Sequence, residues 1–445
     1  MAEQVSATLT ADNKPGCPVA NSARQLFRKC TMSLSRYDKI PAHSLRLGMY
    51  VVELDRPWLD TPFLVQGFVI RTAQELEVLT ELCEYVYIDS GRSILHKSRS
   101  SNPIPTRKKA LTREKLQTIF KRPLQTFTDS SSFTDELVNA KSIYSDYEST
   151  VSRLYNDVRT HQKIDMQQVD NSISEVVDSV IRNPDACMLL AKLKRKSDYT
   201  YNHALGSSIW AAAFGRQLGL PKTIIHSIAT GALLEDVGKI SISDRLLNKN
   251  GTLTSEEREL AKTHVAKGMD ILANSRGVSS ITREMLQSHH ERLNGNGYPK
   301  RLKGDQIPVY GRIAGIVDTY DALINDKPYR KAMPASDAVK TLYNVRNIDF
   351  QSELVEEFIQ AVGIYPAGSL VELSSGEVGI VVTEHRRRRL RPRLLILLDG
   401  NKSKLAESKF LDLFDVTHDD AGQPLDISRS LLPTEYGINP DDIFI

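Results

Sequence analysis

The sequence predicts a multidomain, mainly α-helical protein, with a small α/β domain ahead of the helices and a small β extension behind them. Three observations carry that reading. The 445 residues exceed what one hydrophobic core usually organises. Apolar residues recur at helical spacing from about 134 to 364. Short β-branched and aromatic runs, broken by Gly and Ser, occupy the two ends.

In chain order, residues 1–37 are polar and aperiodic, and are expected to be a disordered lead in which Met32 is a candidate start. Gly48–Asp55 and Phe63–Ile70 read as strands, Thr72–Cys83 as a helix and Glu84–Asp89 as a closing strand, giving a small α/β domain over 38–92. Residues 93–133 are rich in Ser, Pro, Lys and Arg, and read as a solvated linker. The helical domain is expected over 134–364. Val169, Ile173, Val176, Val177, Val180 and Ile181 mark one helix face, interrupted at Pro184. Leu205, Ile209, Ala212 and Ala213 mark a second helix that stops near Gly219, and a third runs from Thr223 to Val237. A fourth starts at Thr254, where Glu257 completes a capping box. Loops are expected at 238–251 and 294–308. Alternation over Gly368–Glu384 predicts a hairpin and Leu390–Gly400 a third strand, so a β extension is set at 365–415 and a tail at 416–445. The basic run His385–Arg389 is expected at a strand edge or turn, and reads as a charged edge that discourages pairing rather than as a nucleic-acid contact.

Composition narrows the function. Hydrophobic residues make up 40% and charged residues 25%, a globular profile. The net charge of +3 argues against a nucleic-acid polymer or an anionic membrane as the main partner. No run of about 18 apolar residues suggests a membrane span. The N-terminus lacks a secretory pattern, so a cytoplasmic protein is expected. Cys17, Cys30, Cys83 and Cys187 are widely spaced, which predicts reduced thiols and no thiolate zinc site.

Histidine is the informative residue. Five of the ten lie between 203 and 290: His203, His226, His264, His289 and His290. Imidazoles mixed with acids in a helical core form a metal-site pattern. His226 lacks an adjacent acid and reads as structural, while His43, His96 and His418 read as surface or satisfied. In LLEDVGKI, Glu235 and Asp236 end an apolar helix. Two buried acids without a cation are costly, and two metal ions would remove that cost; an exposed helix end is the alternative. Lys239 has the reach to meet a phosphate near such ions. SHHERLNGNGYP places His289 and His290 before a Gly-rich loop, which Tyr298 helps to shape. VDTYDAL supplies Asp318 and Asp321, of which one can coordinate while the other faces solvent or caps. KPYRK adds Lys327 and Arg330.

These residues together resemble the HD-GYP domain, a branch of the HD phosphohydrolase superfamily. The shared segments are YNH at His203, EDVGK at 235–239, His264, HHERLNGNGYP at 289–299 and DTYDALINDKPYR at 318–330. LRLGMYVVELDRPWLD resembles the N-terminal domain often fused to it, and GIYPAGSLVEL its small C-terminal extension. The resemblance implies an HD-type helical bundle around two divalent ions, iron or manganese, hydrolysing a cyclic dinucleotide, chiefly cyclic di-GMP, to linear pGpG or GMP. It implies one ion on His203, residue 235, Asp236 and Asp318, and a second on His264, His289 and His290, with Asp236 bridging. Lys239, Lys327 and Arg330 would hold the substrate. Tyr199 stands where trinuclear members carry Glu, which argues against a third ion.

The sequence departs from the family at one position: Glu235 replaces the name-giving His. A carboxylate there removes one unit of positive charge from the centre, which weakens attraction for a phosphodiester. Glu is nonetheless a competent ligand for manganese, iron or magnesium. A hydrolase is therefore expected. The alternatives are a degenerate receptor that binds a cyclic dinucleotide, or a partner protein of second-messenger signalling, without turnover, and a hydrolase acting on cyclic GMP-AMP.

Overall fold

The computed structural model describes residues 37–55, 68–70, 73–90, 93, 112–193, 199–327, 330–385, 388–432 and 435–438. The expected disordered lead, His96, Cys17, Cys30 and most of the first half of the expected linker lie outside these residues. The chain divides into two compact units, residues 1–57 with 65–109, and residues 58–64 with 110–445. Among the described residues no helix is long and apolar enough to cross a membrane.

The first unit holds β1 (Asp38–Pro41), β2 (Tyr50–Leu54), β3 (Phe68–Val69), α1 (Ala73–Leu82) and β4 (Tyr85–Asp89). Its antiparallel sheet has the order β1-β4-β2-β3. Val86 and Ile88 are buried two residues apart, on one face of the central strand β4, as strand periodicity requires. Three predicted strands and the helix form here, although residues 63–67 and Thr72 lie outside the described residues. The edge strand β1 adds to the predicted elements, since DKIP carries too little alternation to mark a strand.

The second unit is built on α2 (Thr112–Phe120), α3 (Phe133–His161), α4 (Met166–Arg182), α5 (Pro184–Leu193), α6 (Tyr199–Leu218) and α7 (Lys222–Leu234). A 3₁₀ turn at Val237–Ser241 leads to α8 (Asp244–Leu247), α9 (Ser255–Lys262), α10 (His264–Ala273) and α11 (Ser280–Ser288). Then follow α12 (Val309–Ile324), α13 (Ala335–Asn344) and α14 (Ser352–Val362). The helix starts follow their caps. Ser132 accepts from the Asp135 N–H at 3.2 Å, and Thr254 and Glu257 form the predicted capping box. Val169, Ile173, Val176, Val177 and Val180 are buried on α4, the predicted face. Helix α6 is buried nearly all round and packs against α7, α12 and α14, the mark of a central helix.

Two expectations are corrected. The segment taken as linker is partly core: Leu116 and Phe120 of α2 are buried in the bundle. The chain beyond it is pinned by Gln125 N–H to Gly219 O at 2.7 Å and Ser130 N–H to Arg182 O at 3.0 Å. The loop expected at 238–251 contains α8.

The C-terminal sheet comprises β5 (Leu370–Leu373), β6 (Val378–Thr383), β7 (Arg393–Leu398), β8 (Lys404–Asp412) and β9 (Ile427–Leu431). All pairs are antiparallel, in the order β8-β7-β6-β5-β9. The hairpin was legible, but β9 comes from the stretch read as tail and pairs with β5. One face, with Leu370, Val378, Ile380, Val382 and Leu395, joins the helical core. The other packs on Leu413 and Leu425. Of the basic run, expected at a strand edge or turn, His385, Arg388 and Arg389 are described. The run connects the interior strands β6 and β7, and Arg389 is buried, donating to Ile359 O at 3.1 Å and Gln360 O at 2.6 Å.

Glu136 ties α3 to α4. It is fully buried, and accepts from Ser179 Oγ and from both Arg182 Nε and Nη2, each at 2.7 Å. Glu136→Ala should destabilise the unit by about 1–3 kcal/mol, read as a lowered urea midpoint.

Candidate metal centre

The site is assembled from the ends of helices. α6 supplies His203. α7 closes at Glu235, its C-cap, and Asp236 follows with φ −103° and ψ 7°. The 3₁₀ turn then carries Lys239. Gly238 lets this turn lie against α10: a Cβ there would sit 1.9 Å from the carbonyl oxygen of His264. His264 opens α10, His289 is the C-cap of α11, and Asp318 and Asp321 lie one turn apart on α12.

Two clusters result. Ligand atoms of His203, Asp236 and Asp318 lie within 4.8 Å of one another, and so do those of Asp236, His264, His289 and His290. Asp236 belongs to both. Its Oδ2 is 3.4 Å from His203 Nε2, while its Oδ1 is 3.3 Å from His264 Nε2 and 3.7 Å from His289 Nε2. His203 Nε2 is also 3.3 Å from Asp318 Oδ1, and His290 Nδ1 is 3.6 Å from Asp318 Oδ2.

The imidazoles are held from behind. His264 Nδ1 donates to Ala261 O at 2.7 Å and His289 Nδ1 to Leu286 O at 2.8 Å. A carbonyl can only accept, so Nδ1 carries the hydrogen and Nε2 faces Asp236. Asp321 does the same for His203, whose Nδ1 donates to its Oδ2 at 2.7 Å. This corrects the expectation for Asp321. It neither faces solvent nor caps a helix; it is buried, and accepts also from Trp210 Nε1 at 2.9 Å and Asn325 Nδ2 at 2.6 Å. The i, i+3 spacing from Asp318 was visible, but the donors that converge on it come from distant sequence. Asp321→Ala should weaken ion binding at the His203 cluster about 10–100-fold and spare the other cluster, read by metal titration.

Glu291 was also missed. Buried beside His290, it accepts from Lys300 N–H at 2.7 Å and Leu302 N–H at 2.9 Å and so folds the GYP loop back. Gly297 permits that return, since a Cβ would meet His290 O at 2.5 Å. Tyr298 then lays its ring over His290, with centroids 4.5 Å apart and planes at 30°.

The remaining predicted residues are placed differently. Glu235 is fully buried beside the clusters but belongs to neither, and its two oxygens lack a hydrogen-bond partner. Lys239 donates to Asp236 Oδ2. Lys327 is partly buried and pairs with Arg330 through backbone bonds of 2.8 and 3.1 Å. Arg330 donates to Ala322 O near the end of α12. Neither Lys327 nor Arg330 is brought into either cluster. His226 is structural, its Nε2 against Asp170 O at 3.0 Å.

Electrostatics separates the histidines. Burial holds His264 down to about 4, against the pull of Asp236. Burial and the neighbouring His289 push His290 well below its ordinary value. Both therefore present neutral imidazoles. Burial opposes charge on His203 too, but Asp318 and Asp321, with Asp236, outweigh it and raise it to about 10. Burial, and then the charge of Asp318, lift Glu235 well above the carboxylate range. For Asp236 burial is outweighed by Lys239 and the histidines, which hold it well below that range.

This donor set fits a pair of divalent cations. Imidazole nitrogens and carboxylates are the ligands such ions take. Asp236, held ionised with its Oδ1 lacking a hydrogen bond, leaves negative charge that an ion would balance, and the unpartnered Glu235 oxygens offer further lone pairs beside it.

Comparison with known proteins agrees. Residues 185–351 match the HD domain family, and residues 37–169 match a domain of unknown function (DUF3391). A cyclic di-GMP phosphodiesterase of Pseudomonas aeruginosa is 32% identical over 84% of this chain and 88% of its own length. A 3′3′-cGAMP-specific phosphodiesterase of Vibrio cholerae is 31% identical over 38% of this chain and 32% of its own. A solved HDG"Y"P protein of Bdellovibrio bacteriovorus aligns with a TM-score of 0.43 and 15% identity, covering 72% of this chain and 98% of that one. The extent of the Pseudomonas match, with the HD domain inside it, identifies the chain as a member of the HD-GYP family of HD-domain proteins.

Proposed function

We propose that this protein hydrolyses a phosphodiester of a cyclic dinucleotide, cyclic di-GMP foremost, to linear pGpG, GMP or both, with two divalent ions, iron or manganese. The observation that carries the reading is Asp236, one buried carboxylate whose two oxygens face two separate ligand clusters. His203, Asp236 and Asp318 would hold one ion, and Asp236, His264, His289 and His290 the other. Such a pair supplies Lewis-acid polarisation of the phosphodiester and a water acidic enough to attack near neutral pH.

The chain's own residues do the rest. The backbone carbonyls of Ala261 and Leu286, and the Asp321 carboxylate, fix the imidazoles before substrate arrives. Lys239 already reaches the shared carboxylate and is assigned to the phosphate's non-bridging oxygens. Lys327 and Arg330 are assigned to substrate at the end of α12. Glu235 adds a hard oxygen donor beside the clusters, which favours manganese or iron over softer ions. Cyclic GMP-AMP is the second substrate, supported by the relative named for it. In this reading the reaction runs in the cytoplasm, and proteins of second-messenger signalling are its partners.

The test is metal content and turnover together. Protein loaded with manganese or ferrous iron should hold close to two ions per chain and convert cyclic di-GMP to a linear product, followed by chromatography. Tight nucleotide binding without product supports the receptor reading, which the extra charge of Glu235 favours. Absence of bound ions under both metals overturns the assignment.

A further inference from the structure

Beside the second cluster, α9, α10 and residues 295–301 line an open groove of about 960 Å³. A groove of that size holds a nucleotide-sized ligand. Tyr298 forms part of its wall, and the same ring stacks on His290 and lies 6.4 Å from the ring of His264. A ligand in the groove thus touches the aromatic layer against the candidate metal centre.

Lys262 is paired with Glu259 at 2.6 Å, and its ammonium lies 5.3 Å from the Tyr298 ring centroid. Arg258 and Arg301 form no ion pair among the described residues, and neither does the Asp270 carboxylate. Two uncommitted guanidinium groups, one uncommitted carboxylate, an aromatic ring and the thioether of Met269 therefore line one recess.

We propose that this groove is a guanine-nucleotide subsite. The inference rests on the hydrolase reading above, in which one phosphodiester of the substrate sits at the clusters. A cyclic dinucleotide carries a second phosphodiester and two bases. In the groove, Tyr298 and Met269 flank one purine, Arg258 and Arg301 face the second phosphodiester, and Asp270 reads the base edge. An ionised carboxylate can only accept hydrogen bonds. Guanine offers it two adjacent donors, N1–H and the N2 amino group. Adenine sets the N1 lone pair beside its N6 amino group, so one contact becomes repulsive. Asp270 thereby selects guanine, of which cyclic di-GMP contains two and cyclic GMP-AMP one.

The experiment uses the full chain loaded with manganese, and compares cyclic di-GMP with cyclic di-AMP. The wild type should prefer cyclic di-GMP. Asp270→Asn, an exposed change that leaves the helix intact, should raise KM for cyclic di-GMP about tenfold, the loss of a charge-assisted hydrogen bond. Its kcat should change far less, and its KM for cyclic di-AMP should fall, because the amide offers adenine both a donor for N1 and an acceptor for the N6 amino group. Arg258→Ala and Arg301→Ala should raise KM for both nucleotides and weaken its dependence on salt. An unchanged KM for cyclic di-GMP in Asp270→Asn, or a wild type indifferent to the base, overturns the subsite. If no protein turns over, the same comparison is made by calorimetric binding. A selective loss in Asp270→Asn then keeps the subsite while the hydrolase reading falls, and equal binding rejects the subsite.

Discussion

Asp236→Ala will abolish turnover and release both ions. Among the described residues Asp236 is the one side chain that belongs to both clusters, and it is almost wholly buried. Removing it leaves His203 with Asp318 on one side and three histidines on the other. Metal ions contribute several kcal/mol of transition-state stabilisation, so turnover should fall on the order of a thousandfold or more. Metal content by elemental analysis should drop well below one ion per chain. The fold should survive, because His264 and His290 are neutral imidazoles that need no counter-charge and the partly exposed Lys239 can turn to solvent. Retained turnover would reject the two-ion assignment outright.

Glu235 gives the second large effect, and it has two signatures. Burial and the adjoining carboxylates raise its pKa well above the carboxylate range in the ion-free protein. The folded state then keeps a proton that the unfolded chain releases. Its contribution to stability is complete below the unfolded value and is lost as pH rises through the raised folded value. Asp236 and Asp318, both pulled down, act in the opposite sense and lose their contribution only in strong acid. Glu235→Gln should therefore stabilise the ion-free protein at neutral and mildly alkaline pH and flatten its pH dependence, seen by thermal unfolding. The same variant should bind manganese more weakly. Glu235→His restores a neutral donor and one unit of positive charge, and should preserve or raise kcat/KM. A marked loss would mean that the centre is tuned around the carboxylate.

The site was more legible than the scaffold that aims it. His203, Asp236, His264, His289, His290 and Asp318 announce themselves by residue type, and the structure gathers all six. Asp321 and Glu291 could not be read in the same way. Each is defined by donors that only the folded chain brings to it: His203 and Trp210 for Asp321, and the backbone of Lys300 and Leu302, across the loop that Glu291 opens, for Glu291. Lys327 and Arg330 lie outside both ligand clusters, and Arg330 donates from Nη2 to a helix-end carbonyl. In the fold, the periodic helices were clear because they bury one face. Helix α2 and strand β9 were hidden because each is short and gains its stability from tertiary burial or pairing rather than from its own pattern.

The C-terminal sheet sets a limit on how this enzyme family member can be dissected or recombined. Its inner face shares one apolar interior with the helices, and Leu116 and Phe120 from the stretch read as linker enter that same interior. The boundaries of the HD match are thus borders of ancestry and not of cooperativity. A transplant of residues 185–351 alone would carry the ligands yet leave a raw hydrophobic seam, so any chimaera must travel with the flanking helix and the closing strands.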